Sequence, residues 1–147
     1  GWMKMKNILE PLDLVIVKAE YGEGKRTGWL TSYTVACRSG DKFLDVGKVS
    51  TGVKEKTEGL TYKEMTRLLK PSIEKQKGKE VEVKPRIIIE VGYEEIQTSP
   101  SYSSGFALRF PKVLRLRITE KNLKEINTLE DIKKIYNFQR GKSSGKQ

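Results

Sequence analysis

Basic residues recur along one stretch of the chain in a pattern that could bind phosphate. From residue 105 onward, Arg109, Arg115 and Arg117 occupy odd positions, and no acidic residue precedes Glu120. Because side chains alternate across a β-strand, one face would be buried and the other would present the arginines. A merely solvated face usually carries both signs of charge, so the pattern favours a strand that faces a polyanion. Pro111 cannot donate to a β-ladder and predicts an edge position or a bulge. The residues predicted to be buried are Phe106, Leu108, Phe110, Leu114, Leu116 and Ile118.

Further basic residues lie in glycine-rich segments. Lys25 and Arg26 fall in the turn 21–28, which differs from a phosphate-binding loop because Ala19 takes the place of its first glycine. A basic hairpin loop is the better prediction. Lys48 lies between two glycines, which permit a tight bend as readily as a close approach to a ligand. Simple solvation of these residues, or pairing of an arginine with a local carboxylate, remains an alternative.

Composition narrows the class of partner. The 147 residues carry a formal net charge of +10, which favours a polyanion, nucleic acid before membrane. No apolar run approaches the ~20 residues of a membrane span, and the start does not resemble a signal peptide. The length predicts one domain with an appendage at either end, and a Met at the third position suggests an excised fragment.

Two residue types are scarce, and their scarcity excludes whole classes of chemistry. Cys37 is the single cysteine and the chain has no histidine, so internal disulfides, Cys/His zinc sites and histidine general bases are excluded. We predict no metal site. Cys37 lies on the apolar phase of its segment, which predicts a buried, inert thiol. The Lys- and Glu-rich, Cys-poor balance indicates a thermophile.

Five strand regions must position the basic residues. A dense β-branched run from Leu12 to Ala19 predicts the first, and alternating apolar residues predict strands over 29–37, 43–49 and 81–93 before the arginine-rich stretch. A polar loop is expected over 94–104. Trp29 and Tyr33 lie on the apolar phase and are predicted to be core residues rather than base-stacking platforms.

Two helices are expected. The string from Thr61 to Glu64 is a capping box, and the helix that it starts must end before Pro71. The string from Thr128 to Asp131 caps a short C-terminal helix. Five strand regions with a helix between the third and fourth predict a mainly β, five-stranded Greek-key barrel of the oligonucleotide-binding (OB) type. An SH3-like barrel or a small mixed sheet with two helices is the alternative.

Several strings together resemble a known family. Trp2-Met3-Lys4-Met5-Lys6 is similar to the fifth nucleotidyltransferase motif of ATP-dependent DNA ligases, and residues 116–121 resemble the sixth. The segments 13–26, 46–52, 90–93 and 108–112 resemble the C-terminal OB-fold domain of archaeal-type ligases. The resemblance covers nearly everything from Trp2 to Tyr136. It implies the end of an adenylation domain and a hinge at 1–11, an OB-fold domain at 12–137 and a flexible basic tail at 138–147.

The resemblance also implies roles for individual residues. Lys4 and Lys6 would lie near the phosphate of ATP or AMP, and Arg117 with Lys121 would orient pyrophosphate. The sixth motif usually reads Arg-x-Asp-Lys, whereas this chain has one extra residue, so whether Thr119 or Glu120 replaces the aspartate stays open. The residues expected to bind DNA are Lys25, Arg26, Lys48, Arg109, Lys112 and Arg115.

The implied function belongs to a larger enzyme. The family's barrel closes over ATP during self-adenylation and then binds nicked duplex DNA, with ATP and Mg²⁺ as cofactors of the full-length enzyme. No aspartate here has a lysine two positions before it, so the Lys-x-Asp-Gly nucleophile is absent and the chain alone should be inactive and bind no cofactor tightly. Expected partners are nicked double-stranded DNA, the adenylation domain of the same enzyme and a sliding clamp that binds through regions missing from this sequence. The expected location is the cytoplasm or, in a eukaryote, the nucleus. The alternatives are the barrel of an mRNA capping guanylyltransferase and a free-standing single-strand-binding module.

Overall fold

The computed structural model describes residues 10–24, 27–50, 62–117 and 122–144, with side chains up to residue 139. These residues form nine strands and two α-helices, and neither helix is long and apolar enough to span a membrane. The strands are β1 (Leu12–Tyr21), β2 (Leu30–Ser39), β3 (Lys42–Val49), β4 (Ile73–Lys77), β5 (Glu80–Val83), β6 (Ile88–Gly92), β7 (Glu95–Thr98), β8 (Phe106–Arg109) and β9 (Lys112–Leu116). The helices are α1 (Tyr62–Leu69) and α2 (Leu129–Ser144), and 3₁₀ turns cover Lys70–Ser72 and Leu123–Glu125.

The central element is β1, which pairs with three other strands. One edge pairs with β2; the other pairs with β6 over Leu12–Val15 and with β5 over Lys18–Glu20. β3 continues the sheet beyond β2, β4 lies beyond β5 and β9 beyond β6, while β7 and β8 form a separate antiparallel pair. The mainly β, antiparallel architecture with α1 between β3 and β4 confirms the predicted class and is consistent with an OB-type barrel.

The strands are more numerous than the five predicted regions, although β1, β2 and β3 are each slightly longer than predicted. The predicted strand 81–93 is divided by a turn at Pro85 and Arg86, although its odd positions keep one buried face on both sides of the turn. A further strand, β7, lies inside the predicted polar loop and is anchored by Ile96, which is fully buried. The hairpin of β4 and β5 turns at Gly78, which has a left-handed φ of +63°.

The arginine-rich stretch is two strands in two sheets. Phe110 has a left-handed backbone conformation, φ +51°, which together with Pro111 ends β8 and turns the chain into β9. In the β6–β9 ladder Val91 pairs with Val113 and Glu90 with Arg115, so Leu114 is an extra residue in a β-bulge. The predicted burial of Phe110 and Leu114 is therefore wrong, because the turn and the bulge each change which face a position occupies: these side chains are 63% and 46% exposed.

One main core fills the interior. α1 contributes Tyr62, Met65 and Leu69, and it ends before Pro71 as predicted. Tyr33 is fully buried, and its hydroxyl donates a hydrogen bond to the carbonyl of Leu30 at 2.5 Å. The core residues contributed by the strands and by α2 include Leu12, Leu14, Ile16, Val35, Val49, Val81, Ile89, Val91, Leu108 and Ile132.

The C-terminal segment crosses the outer face of the sheet before α2 begins. Ile126 closes a second, smaller cluster with Val15, Ala36 and Ile88. The predicted cap of α2 is confirmed: the Thr128 hydroxyl accepts from the Asp131 N–H at 3.2 Å, and the Asp131 carboxylate accepts from the Thr128 N–H at 2.9 Å. α2 extends to Ser144 and is longer than the predicted short helix.

Candidate phosphate-binding face

The guanidinium of Arg117 lies between two carboxylates at the end of β9. Its Nε is 3.3 Å from Oδ1 of Asp13, and its Nη1 is 3.9 Å from Oε1 of Glu90. The three side chains are 15%, 13% and 20% exposed. The Arg117 backbone N–H donates to the carbonyl of Ile88 at 2.8 Å, which fixes the backbone from which the side chain projects.

Arg115 extends the same cluster toward solvent. It stands directly opposite Glu90 in the β6–β9 ladder, and its Nε donates to Oε1 of Glu90 at 2.7 Å. Its side chain is 59% exposed, in contrast with Arg117. Asp13, Glu90, Arg115 and Arg117 therefore form one group of two acids and two arginines across β1, β6 and the end of β9.

Arg109 lies at the turn between β8 and β9. Its Nη1 is 3.2 Å from Oε2 of Glu95 on β7, and its guanidinium carbon lies 4.9 Å from the centre of the Phe110 ring. Lys112 is exposed just beyond the turn. An exposed phenylalanine is thus flanked by cations.

The sequence interpretation missed Phe110, because the residue before a proline ordinarily avoids the helical region and the alternating pattern placed its side chain inside. The predicted bulge or edge at Pro111 was the one signal of an interruption there. The left-handed φ of Phe110 turns the chain out of β8 and leaves the ring in solvent.

Lys48 lies on β3, and its carboxylate partner is on β1. Its Nζ is 3.8 Å from Oε1 of Glu20, and both side chains are about half exposed. The preceding residue, Gly47, lies against β8: a Cβ at that position would stand 3.7 Å from the Cβ of Leu108. Because side chains alternate along a strand, Lys48 points away from the side of β3 that packs against Leu108.

The arginine-rich stretch has no acidic residue before Glu120, but the surface around it does carry carboxylates. Glu90 and Glu95, on the strands beside β9 and β8, pair with the arginines, so the carboxylates absent from the stretch itself come from its neighbours. Pairing of Arg109 with a nearby carboxylate, left open above, is confirmed. Exposed ion pairs of this kind contribute only about 0–1 kcal/mol, so a phosphate can compete for these arginines.

Other predicted site residues lie outside the described residues: Lys4, Lys6, Lys25, Arg26 and Lys121, together with Thr119 and Glu120. Within the described ranges, no group of three or more His, Cys, Asp or Glu side chains could hold a metal ion. The carboxylates nearest to Arg117 are already engaged by arginines.

The aromatic and sulfur groups of β2 belong to the core. Tyr33 is fully buried and Trp29 is partly buried against the main cluster, which confirms their predicted role. Cys37 is fully buried and its Sγ lies 3.5 Å from the carbonyl of Leu44. Burial raises the pKa of the Cys37 thiol to about 11, so the thiol is poorly suited to act as a nucleophile.

Comparisons with known proteins identify relatives of this chain. Residues 26–120 match the family model described as the ATP dependent DNA ligase C terminal region. A DNA ligase of Nanoarchaeum equitans is 58% identical over 147 residues, which cover 96% of this chain and 26% of that protein. A DNA ligase of Methanothrix thermoacetophila is 49% identical, covering 97% of this chain and 25% of that protein. The chain thus spans about a quarter of the length of these curated relatives.

Solved structures show the same fold at greater distance. The ligase domain of LigD from M. tuberculosis superposes with a TM-score of 0.61 at 22% identity, covering 79% of this chain and 37% of that one. A mycobacterial DNA ligase D complexed with ATP and MES gives a TM-score of 0.61 at 19% identity, covering 84% of this chain and 38% of that one. With most of its length matched by the family model, the chain belongs to the ATP-dependent DNA ligase family and corresponds to the C-terminal region of those enzymes.

Proposed function

We propose that this domain works within an ATP-dependent ligase in two ways: it closes over ATP during enzyme self-adenylation, and it binds the backbone of nicked duplex DNA while the phosphodiester bond forms. The observation that carries the proposal is the β8–β9 region of a ligase-family chain, where exposed cations surround Phe110 and a largely buried arginine ends β9.

The exposed part of this face suits the DNA backbone. Arg109, Lys112 and Arg115 project from consecutive strands, and Lys48 follows the residue that packs against β8. Their carboxylate partners hold them weakly, so phosphates can replace those contacts. Contacts of this type give affinity and orientation without reading sequence. An exposed aromatic ring among cations suits a groove, where apolar side chains pack against sugars and bases.

The less exposed part suits the nucleotide. The planar donors of Arg117 match a polyphosphate, and Lys121, Lys4 and Lys6 would supply further positive charge. The described residues do not fit a magnesium site, since Asp13 and Glu90 already contact arginines. Mg²⁺ would therefore enter with ATP, and we assign it no protein ligand in this chain.

A salt titration tests the DNA-binding half of the proposal. We expect the chain to bind nicked duplex in preference to single strands, with an affinity that falls steeply between about 50 and 200 mM salt. Arg109→Ala and Lys112→Ala should each reduce the log–log salt slope by about 1. Lys75→Ala removes the same charge from β4, on another part of the sheet, and is the matched control. An affinity that is insensitive to salt would contradict the proposal.

Incubation with labelled ATP tests the nucleotide-binding half of the proposal. Because the chain has no lysine two positions before an aspartate, it should retain no covalent adenylate. In the full-length ligase, Arg117→Ala and Lys121→Ala should slow self-adenylation by on the order of 10²–10³, because only that step expels pyrophosphate. Sealing of a nick that already carries a 5′-adenylate should be much less affected. Lys4→Ala should slow both steps, since a lysine beside the nucleotide phosphate serves both.

A free-standing single-strand-binding module is the alternative function. Such modules present aromatic platforms to successive bases. The buried position of Tyr33 and the partly buried position of Trp29 remove two such platforms from this chain. Tighter binding to single strands than to nicked duplex would favour the alternative.

A further inference from the structure

The two carboxylates beside Arg117 lie so close together that a neighbouring positive charge is needed to offset their repulsion. Asp13 of β1 and Glu90 of β6 are directly opposite each other in the ladder, so both side chains emerge on the same face. Like charges at directly opposed positions repel, and limited contact with water strengthens that repulsion. The side chains are only 13% and 20% exposed. The arrangement is stable because Arg117 contacts both acids.

We propose that Asp13 and Glu90 are positioning residues, which hold the Arg117 guanidinium in the orientation needed to bind the polyphosphate of the nucleotide. The inference rests on the nucleotide-binding role proposed for Arg117 and adds the two residues that make that role possible. Neither carboxylate need touch the nucleotide: each acts through the arginine.

The two contacts restrain the guanidinium in complementary ways. Asp13 lies at Nε, the inner nitrogen of the side chain, and Glu90 lies at Nη1, at its outer end. These two contacts are ion pairs at 3.3 and 3.9 Å, so charge attraction on two different nitrogens keeps the guanidinium between the two acids. An arginine ordered in advance loses less rotational freedom when an anion arrives, which favours binding.

Before DNA binds, both acids have further contacts of their own. The backbone N–H of Asp13 donates to Oδ1 of Asn127 at 2.7 Å, and its carbonyl accepts from the Asn127 N–H at 2.9 Å. Glu90 is held from the solvent side by Arg115, whose Nε donates to the same Oε1 that Arg117 approaches. Because the group contains two acids and two arginines, its net charge is close to zero. Excess negative charge therefore does not prevent Arg117 from binding an anion.

The experiment uses the full-length ligase and measures two steps separately. Self-adenylation is followed with labelled ATP, and sealing is followed on a nick that already carries a 5′-adenylate. We expect Asp13→Asn and Glu90→Gln each to slow self-adenylation by about 10- to 100-fold, as loss of an orienting residue does elsewhere. Sealing and the thermal unfolding midpoint should change little. Glu80→Gln breaks the exposed 3.7 Å pair with Lys18 on the same sheet and is the matched control, with no expected change in either step.

A double-mutant cycle separates positioning from a general structural effect. If Asp13 acts through Arg117, Asp13→Asn should cause no further loss in an Arg117→Ala background. Losses that multiply, equal slowing of both steps, or unchanged self-adenylation would overturn the inference. Should Asp13→Asn fail to fold, Glu90→Gln carries the same test. If Arg117 does not act on the nucleotide at all, Arg117→Ala alone would slow both steps equally. That result would contradict the proposed function of Arg117 and is distinct from a failure of the positioning role.

Discussion

Asn127 forms hydrogen bonds with both the backbone N–H and the backbone carbonyl of Asp13. Its Oδ1 accepts from the Asp13 N–H at 2.7 Å and its own N–H donates to the Asp13 carbonyl at 2.9 Å. We expect Asn127→Ala to lower the free energy of unfolding by about 0.5–1.5 kcal/mol, the net contribution of the hydrogen bond that the partly buried Asp13 N–H loses. Chemical denaturation measures the loss. Asn137→Ala, at an exposed position of α2, is the control and should change stability by no more than about 0.5 kcal/mol. Equal losses in the two variants would contradict the role of Asn127.

The conformation of Phe110 makes glycine and alanine unequal replacements. A left-handed backbone costs an ordinary residue roughly 1–2 kcal/mol, whereas the extra freedom of glycine in the unfolded chain costs about 0.4–1 kcal/mol. Since the first effect is larger, we expect Phe110→Gly to unfold at a higher denaturant concentration than Phe110→Ala. The opposite order would indicate that the turn relaxes when the ring is removed.

The same two variants should both weaken duplex binding. We expect a loss of about 1 kcal/mol or more, the lower end of what an aromatic contact with nucleic acid contributes. Phe138 is similarly exposed on α2, so Phe138→Ala is the matched control and should leave duplex affinity unchanged. Fluorescence anisotropy with a nicked duplex at fixed salt measures both. Equal losses in all three variants would argue against a specific role for Phe110.

The cap of α2 should depend on pH. Burial alone would raise the pKa of Asp131, but hydrogen bonds from Thr128 and Asn127 outweigh burial, and the pKa lies below its ordinary value. A lowered folded-state pKa contributes stability above the unfolded value of about 3.9, and that contribution is lost as the pH falls through the folded value. Asp131→Asn should therefore cost about 0.3–1 kcal/mol at pH 7 and progressively less below pH about 4.

Denaturation curves at several pH values, compared with those of Glu130→Gln, measure this effect. Glu130 is exposed on the same helical turn, so its substitution removes an equal charge. A difference between wild type and Asp131→Asn that stays constant with pH would show that the charge of Asp131 contributes nothing to the cap.

The rate at which the Cys37 thiol is chemically labelled should report unfolding. Because the thiol is fully buried and its pKa is raised to about 11, a maleimide or disulfide reagent at pH 8 should react only when β2 opens. We expect the labelling rate to rise with denaturant in parallel with global unfolding. Rapid labelling in native buffer would reveal a local opening of the sheet near Cys37.

Local features of this chain could be predicted from its sequence, and relations between distant segments could not. The strands over 12–19 and 43–49, the end of α1 before Pro71 and the cap at Thr128 each depend on neighbouring residues, and all are confirmed. The partner of Arg115 is Glu90, which the ladder brings opposite it from 25 residues away. The bulge at Leu114 likewise exists only in relation to β6, so an alternating pattern read along one strand placed that residue on the wrong face.

The pairing of β1 with three strands affects how the chain folds. β1 is synthesised before its partners β5 and β6 on one edge, and Asn127 reaches it across 114 residues. Synthesis adds about 5–20 residues per second, so β1 must wait several seconds for β6. Throughout that interval an apolar strand has an unpaired edge, and closure through such distant contacts is slow. The strand that organises the finished barrel therefore also exposes an apolar edge to aggregation until its distant partners have been made.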